Sequence, residues 1–285
     1  MDSEPQGGAN STNLPFVAAM VTPSRGTVAR MTIRVGVVGA AGRMGATVCR
    51  AVAADPDLEL VCAVDPHAAG TTVEGIQLAA ALDALVEHRA EVVVDFTVAS
   101  AARETLPWLA EHGLHAVVGT TGLGADDLDA LRAQFIRSNC IVAANFAIGA
   151  VLMMRFAELA APYFDTAEII ELHHDAKPDA PSGTAVATAD RMSAASADWA
   201  PDPTTHEVVP AARGGLGPGG IRLHSVRMRG MVAHQEVLLG AAGQTLTIRH
   251  DSYDRSSFMP GVLLACKAVA DHPGLTIGLD SYLAL

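Results

Sequence analysis

The chain has 285 residues, half of them apolar and 18% charged. It is therefore long enough for about two globular domains and too apolar to be disordered or fibrous as a whole. Acidic residues outnumber basic ones by 31 − 19 = 12, which argues against nucleic acid or an anionic membrane as the main partner, because both attract basic surfaces. An anionic small molecule is not excluded, since a pocket can be locally positive.

Cysteine usage and hydropathy predict a cytoplasmic protein. The four cysteines, Cys49, Cys62, Cys140 and Cys266, show neither CxxC spacing nor clustering with histidine, a pattern typical of reduced thiols in or near a core. A reducing compartment is the default for such a chain. No apolar run approaches the roughly 18 residues that a membrane-spanning helix needs, so we predict no membrane partner.

The N-terminal segment differs in composition from the rest of the chain. Residues 1–30 are rich in Ser, Thr, Pro, Gly and Asn and show no hydrophobic periodicity. Asp2 and Glu4 stand where a secretory signal peptide carries positive charge. We predict a disordered extension over residues 1–30, with the folded part beginning at Met31.

Short β-rich apolar runs alternate with helical patterns in the first half of the chain. Strands are predicted over residues 33–38, 58–64, 91–96, 115–118 and 140–144, and helices over 41–54, 100–111 and 126–137. This alternation predicts right-handed βαβ units and a parallel sheet. The strands are almost continuously apolar, which is typical of parallel strands buried on both faces.

The pattern changes after about residue 145. Helices are predicted over residues 147–161, 182–195 and 257–272, and strands over 168–173, 221–228, 232–239 and 244–250. The last three strands are close together and alternate polar with apolar residues, which favours antiparallel pairing among them. The order predicts a parallel α/β unit, then an α+β unit, then a C-terminal tail that packs back on the first.

A glycine turn between the first strand and the first helix carries the strongest local signal. The sequence GAAGRMG at residues 39–45 has the spacing GxxGxxG. Glycine allows a tight turn, a close approach of the backbone to a pyrophosphate, and close packing of helix on sheet. The free N–H groups of the helix start then face the phosphates. The strand–turn–helix context therefore predicts dinucleotide binding.

Asp65 ends the second strand, twenty residues after Gly45. A carboxylate at that point accepts hydrogen bonds from the adenosine ribose. Asp65 alone favours NAD over NADP by repelling a 2′-phosphate, whereas Arg43 and His67 could offset that repulsion. The sequence therefore leaves both cofactors open.

Two further turns follow predicted parallel strands. Gly119-Thr120-Thr121 comes after HAVV, and AANF at residues 143–146 comes after CIV. Ligands of open α/β sheets gather at the carboxyl ends of the strands. Thr and Asn side chains there could bond the nicotinamide side of a dinucleotide.

The densest polar segment of the chain is ELHHDAKPDAPSGT at residues 171–184, where a predicted strand is followed by a loop and then a helix. His173 and His174 point to opposite sides if the strand persists through them. Histidine transfers protons near neutral pH, and Lys177 supplies a positive charge or a proton. The N–H groups of Gly183 and Thr184 at a helix start form a cradle for a carboxylate. The segment predicts a pocket for an anionic substrate that gains a proton.

A metal site is the main competing chemistry for this segment. His173, His174 and Asp175 are all candidate ligands, but consecutive residues rarely converge on one ion, and no HExxH spacing is present. We therefore predict no metal. The glycine-rich residues 213–220 read as a loop, and no GK[ST] follows that would make them a phosphate-binding P-loop.

These motifs together resemble one known family. GAAGRMG after the first strand, GTT, AANF and ELHHDAKPDAPSGTA, in this order and at these separations, closely resemble dihydrodipicolinate reductase, also called 4-hydroxy-tetrahydrodipicolinate reductase. The resemblance runs from about Met31 to the C-terminus and includes SVRMRGMVAHQEV. The HHxxKxDxPSGT stretch is highly specific to the family, whereas the glycine turn is not.

The resemblance implies an α/β fold with two domains. A Rossmann-like parallel-sheet domain would comprise residues 31–146 and 251–285, and an α+β domain with a mixed sheet, for substrate binding and tetramerisation, would comprise residues 147–250. It also implies a homotetramer that uses NADH or NADPH to reduce 4-hydroxy-tetrahydrodipicolinate, a small dicarboxylate, to tetrahydrodipicolinate in diaminopimelate and lysine biosynthesis.

The resemblance also implies roles for individual residues. His173 would be the catalytic proton donor or acceptor and Lys177 a proton donor, in roles that could be exchanged, while His174, Gly183 and Thr184 would bind substrate carboxylate. The implied cofactor-binding residues are Gly39, Ala40, Ala41, Gly42, Arg43, Met44, Asp65, Gly119, Thr120, Thr121, Ala143, Ala144, Asn145 and Phe146.

Two other functions stay open from the sequence. One is a different two-domain nicotinamide-dependent dehydrogenase, against which the HHxxKxDxPSGT stretch argues. The other is a non-catalytic dinucleotide sensor, which would need no proton donors, so that His173 and Lys177 argue against it.

Overall fold

A computed structural model describes residues 32–283 of the chain. The predicted extension over residues 1–30 lies outside the described residues. The strands are β1 (Ile33–Val38), β2 (Leu58–Val64), β3 (Thr72–Val73), β4 (Ile76–Gln77), β5 (Val92–Asp95), β6 (His115–Val118), β7 (Cys140–Val142), β8 (Thr166–His173), β9 (Gly215–Leu216), β10 (Arg222–Arg227), β11 (Ala233–Ala241), β12 (Gln244–Ser252) and β13 (Leu275–Ile277). The helices are α1 (Arg43–Ala54), α2 (Asp83–Glu87), α3 (Ala99–Glu111), α4 (Ala125–Gln134), α5 (Ile148–Ala160), α6 (Gly183–Ala195) and α7 (Met259–Ala268).

The first sheet contains six parallel strands in the order β13-β7-β6-β5-β1-β2. Its inner strands are buried on both faces, because helices cover both sides of the sheet. Val35, Val37 and Val93 are 0% exposed, as continuous apolar runs predict. The α/β class and the Rossmann-like parallel sheet are thus confirmed.

The second sheet is mixed and has the order β12-β11-β8-β10-β9. β8 runs parallel to β10 on one side and antiparallel to β11 on the other. The expected antiparallel pairing of all three late strands is therefore wrong in part: β11 and β12 do pair antiparallel, but β8 lies between β10 and β11. The five residues 228–232 between β10 and β11 can reach across one strand, because two strand spacings amount to about 10 Å.

The C-terminal part of the chain returns to the first sheet. β13 pairs in parallel with β7, and α7 packs so closely on the end of β7 that a Cβ atom on Gly261 would lie 2.1 Å from the carbonyl oxygen of Phe146. The domain boundaries proposed from the resemblance stay a prediction. No helix within residues 32–283 has both the length and the apolar character needed to cross a membrane.

Candidate active site

The glycine turn after β1 leaves no room for a Cβ atom at its third glycine. Gly39 has a φ of +73°, a conformation that favours glycine. A Cβ atom on Gly45 would lie 2.0 Å from the carbonyl oxygen of Gly39. α1 therefore begins directly against the turn, with Arg43 and Met44 as its first residues.

Asp65 stands beside this turn at the end of β2. Its Oδ2 accepts the backbone N–H of Ala41 at 3.0 Å, and its Oδ1 accepts the N–H of His67 at 3.1 Å. The carboxylate thus connects the turn after β1 to the end of β2. It lies where a carboxylate meets the adenosine ribose of a bound dinucleotide. A glycine cradle that a Cβ would fill, a helix start and a carboxylate at the neighbouring strand end fit a dinucleotide.

The other two predicted turns lie at the same edge of the sheet, because β6 and β7 end in the same direction as β1. Phe96, which directly follows β5, connects all three turns. A Cβ on Gly119 would lie 2.0 Å from its ring, a Cβ on Gly39 would lie 3.7 Å from its carbonyl oxygen, and its ring centroid is 5.8 Å from that of Phe146. In the sequence, Phe96 carries no signal beyond its place at the end of the predicted strand 91–96.

Asp95, the last residue of β5, anchors the Gly119–Thr121 turn through hydrogen bonds. Its side chain is fully buried, and its Oδ1 accepts the hydroxyl of Thr120 at 2.8 Å and that of Thr97 at 2.7 Å. Gly119 also donates its N–H to the Asp95 carbonyl oxygen at 2.9 Å. Thr121 is exposed beyond this anchored pair.

The turn after β7 reaches the second sheet. Ala143 and Phe146 are buried, Ala144 is exposed, and Asn145 is partly buried. Asn145 Nδ2 donates to the Thr184 hydroxyl at 3.3 Å, and Asn145 Oδ1 accepts the N–H of Ala147 at 2.9 Å. This contact brings the predicted cofactor-binding and substrate-binding residues together.

His173 is the last residue of β8, and its imidazole is held by a buried carboxylate. Its Nδ1 lies 2.5 Å from Oε2 of Glu171, whose side chain is 0% exposed. Burial lowers the pKa of His173; the hydrogen bond and charge of Glu171 oppose this effect, and the charges of Lys177 and Arg227 add to it.

His174, Lys177 and Arg255 line an open cleft of about 620 Å³ together with His173. The Lys177 ammonium lies 2.8 Å from both carboxylate oxygens of Asp179, and its hydrogen bond lowers the pKa of Asp179. Arg255 comes from the segment between β12 and α7 and belongs to none of the predicted motifs. The cleft thus presents two cationic side chains and the imidazole of His173, which Glu171 holds in place, to a small anion.

The start of α6 offers two free N–H groups, and Ser182 and Thr184 line a small cavity that shares His173 with this cleft. Ser182 caps the helix: its hydroxyl accepts the N–H of Ala185 at 3.2 Å, and its carbonyl oxygen accepts that of Val186. Within residues 32–283, no protein group accepts a hydrogen bond from the N–H of Gly183 or Thr184, as expected for the first turn of a helix. Two such donors suit a carboxylate.

A small cavity of about 40 Å³ lies behind His173. Thr184, Gln235 and His250 line it, and His250 packs against Gly149 of α5, where a Cβ atom would lie 2.5 Å from the imidazole. Burial lowers the pKa of His250. The sequence assigned no role to Gln235, although it lies in the SVRMRGMVAHQEV stretch, or to His250, which lies in an alternating strand outside the motifs. Among the residues that the structure describes, no group of three or more His, Cys, Asp or Glu side chains could hold a metal ion.

The first sheet is parallel and carries a dinucleotide-type glycine turn, and the mixed sheet carries a histidine–lysine cluster. Together these features define an α/β oxidoreductase of the Rossmann type. The chain matches the family model "Dihydrodipicolinate reductase, N-terminus" over residues 33–146 and the model "Dihydrodipicolinate reductase, C-terminus" over residues 149–283. It therefore belongs to the dihydrodipicolinate reductase family.

Individual relatives agree with this assignment. The 4-hydroxy-tetrahydrodipicolinate reductase of Nocardia farcinica is 51% identical over 262 residues, which cover 90% of this chain and 100% of the relative. That of Beutenbergia cavernae is 49% identical with the same coverage. A solved structure of dihydrodipicolinate reductase from Paenisporosarcina sp. TG-14 with bound dipicolinate is 38% identical, has a TM-score of 0.80, and covers 88% of this chain and 99% of its own.

Proposed function

We propose that this chain reduces 4-hydroxy-tetrahydrodipicolinate to tetrahydrodipicolinate with NADH or NADPH in diaminopimelate and lysine biosynthesis. The family and the names of the relatives support this function. The observation that carries it furthest is the hydrogen bond from Asn145 to Thr184, because it joins the cofactor-type turns of the first sheet to the helix start beside His173 and Lys177.

The residues at the edge of the first sheet would hold the dinucleotide. The turn and helix start at residues 39–44, together with Asp65, suit the pyrophosphate and the adenosine ribose, and the turns at 119–121 and 143–146 suit the nicotinamide side. When bound, the reduced nicotinamide supplies the hydride. The protein's part is to bind, orient and move a proton.

The substrate would lie at the end of β8, where His173 lines both the cleft and the small cavity that Asn145 also lines. The N–H groups of Gly183 and Thr184, with His174, suit one carboxylate of the substrate. His173 can exchange a proton through the ring nitrogen that faces away from Glu171, and the Lys177 ammonium can donate a proton or neutralise a carboxylate. These assignments rest on position in the cleft and on the family resemblance.

Substrate-dependent oxidation of the nicotinamide tests this function directly. We expect loss of NADH or NADPH absorbance when the purified protein meets substrate made in situ by condensing pyruvate with aspartate semialdehyde, and no loss without the substrate. Running both nicotinamides in parallel ranks them. Folded protein that binds dinucleotide but oxidises neither would instead favour a different dehydrogenase or a dinucleotide sensor.

We further propose that the protein is a homotetramer. The face of the second sheet opposite the Glu171 side carries Ile170, Leu172, Val226 and Leu238, all only partly buried. A partly exposed apolar face of this kind suits contact with other copies of the chain. Light scattering during size-exclusion chromatography should give about four chain masses, whereas the mass of a single chain would contradict the proposal.

A cytoplasmic location is also part of the proposal. The four cysteines are free and buried in the structure, as expected where thiols stay reduced. Fractionation of cells that express the tagged full chain would locate it, and recovery outside the cytoplasmic fraction would contradict the proposal.

A further inference from the structure

Glu171 is a fully buried carboxylate at the centre of the second sheet, and none of the roles assigned so far uses it. It precedes His173 by two residues on β8, so both side chains leave the strand on the same face. Its Oε2 faces Nδ1 of His173 at 2.5 Å, and its Oε1 accepts the backbone N–H of Ser182 at 3.1 Å. One carboxylate therefore contacts both the histidine and the start of α6.

We propose that Glu171 is a positioning residue for the proposed reduction: it fixes the tautomer and orientation of His173 and holds the carboxylate-binding helix start at a set place beside it. An ionised carboxylate only accepts hydrogen bonds, so the proton of the neutral imidazole must sit on Nδ1. Nε2 is then the ring nitrogen that exchanges protons with the cleft. The inference rests on the proposed function, in which His173 handles a proton.

Arg227, from the neighbouring strand β10, keeps this carboxylate ionised. Its Nη1 and Nη2 donate to Oε2 and Oε1 of Glu171, both at 2.8 Å. Burial would raise the pKa of the Glu171 carboxyl, but hydrogen bonds from Arg227, Ser225 and His173 hold it below its ordinary value. A bidentate arginine is the type of partner that a buried carboxylate needs.

The same arginine also fixes the loop that carries Lys177. Arg227 Nη2 donates to the carbonyl oxygen of Asp179 at 2.6 Å, and the side chain of Asp179 contacts the Lys177 ammonium. Glu171 and Arg227 thus form a buried centre to which His173, the Lys177 loop and the Ser182 cap are all attached. A change at Glu171 should therefore affect proton transfer and substrate binding, and leave the cofactor turns unchanged.

The charge of Glu171 also influences the titration of His173. The charged groups that face this imidazole are Glu171 on its own strand, Arg227 on β10 and Lys177 on the loop, while His234 and His250 from β11 and β12 line the cavity behind it. Both cations lower the pKa of His173, and only Glu171 raises it. Without the negative charge, the pKa of His173 falls further, and the proton is lost at a lower pH.

The decisive variant is Glu171→Gln, which keeps the shape and removes the charge. We expect kcat to fall about 10- to 100-fold, by analogy with the loss of a carboxylate that orients a metal-bound histidine. The limb of the kcat/KM profile that depends on His173 should move to lower pH, and the Kd of NADH should stay within about two-fold. Glu171→Asp restores the charge and should return the limb towards its wild-type position.

The chain offers a matched control on the same strand. Glu168 also contacts an arginine and a histidine, with its Oε1 2.5 Å from Arg213 and its Oε2 2.7 Å from His224, but its side chain lies on the opposite face of β8. Glu168→Gln likewise neutralises a carboxylate that holds an arginine and a histidine, but it does so away from the cleft. Because Glu168 lies on the proposed contact face between copies, light scattering must give the same mass for this variant as for the wild type. The substitution should leave kcat and the pH profile unchanged within about two-fold. Equal losses in both variants would overturn the proposal.

A measurement on the unmutated protein keeps the proposal testable even if Glu171→Gln does not fold. Heteronuclear NMR of the ring nitrogens, assigned with a His173→Gln variant, should show His173 protonated at Nδ1 in the neutral state. A neutral His173 protonated at Nε2 would overturn the proposal whether or not the protein reduces the expected substrate. An inactive wild-type protein with an Nδ1-protonated His173 would contradict only the proposed function.

Discussion

Replacing Lys177 by methionine is expected to lower kcat about 100-fold or more while the Kd of NADH changes less than about two-fold. Methionine keeps the length and the apolar stem of lysine but removes the ammonium that faces the cleft. The side chain of Lys177 is only 20% exposed, and Asp179 holds the ammonium at 2.8 Å, so the charge stays at a fixed place in the cleft. Steady-state kinetics with both nicotinamides, combined with fluorescence titration of NADH, would measure the two quantities.

The sequence provides an unusually simple control for this substitution. Lys177 and Lys267 are the only two lysines in the chain. Lys267 lies in α7, with its ammonium 2.8 Å from Asp55 and 3.0 Å from Asp57, away from the cleft. Lys267→Met should leave kcat within about two-fold, since it removes an ion pair that contacts no predicted site residue. A Lys177→Met variant with nearly normal kcat would refute the role of Lys177 as a proton donor.

A second large effect is expected at the glycine turn. Gly45→Ala should raise the Kd of NADH and NADPH about 100-fold or more, because the added Cβ lies 2.0 Å from the Gly39 carbonyl oxygen and 2.8 Å from the Ala40 Cα. These are backbone atoms and cannot rotate away, so α1 must move off the turn. The overpacking should also lower the free energy of unfolding by about 1–3 kcal/mol.

Titration calorimetry with NADH and urea unfolding would test both effects. Gly124→Ala is the matched control, because Gly124 also precedes a helix at the edge of the first sheet. Gly124 has a φ of −89°, and the nearest neighbour of an added Cβ would be Oδ2 of Asp127 at 3.9 Å. Cofactor affinity should be unchanged in this control. Wild-type affinity in Gly45→Ala would show that the turn does not cradle the pyrophosphate.

Most of the first sheet could be predicted from the sequence, because buried parallel strands are continuous apolar runs. The predicted range of β1 matches its bounds, and the start of α1 differs by two residues, since Ala41 and Gly42 belong to the turn. The second sheet was harder to predict. Its strands alternate, and alternation does not specify which strand is the neighbour, so the position of β8 between β10 and β11 was missed.

Because the sequence does not specify which strands are neighbours, part of the candidate site was also missed. His173, Lys177 and the SGT helix start lie in one polar segment and could be recognised from residue types. Glu171 opens the same segment, but its residue type does not show that it is buried, and its partner Arg227 lies 56 residues further along the chain. They meet only because β10 runs parallel to β8, with Arg227 opposite His173. The contact between Glu171 and His173 is local, but the pairing of the buried Glu171 with Arg227 is a tertiary property.

The position of β13 has a consequence for how the protein is made. β13 lies next to β7 in the first sheet, yet Leu275 pairs with Cys140, which is 275 − 140 = 135 residues earlier. During synthesis, β7 emerges with only β6 as a neighbour, and the whole second sheet must follow before its other side can be paired. An unpaired strand edge can pair with other chains. The nascent chain is exposed to this risk until β13 has been synthesised, and the shortness of β7, only three residues, limits the risk.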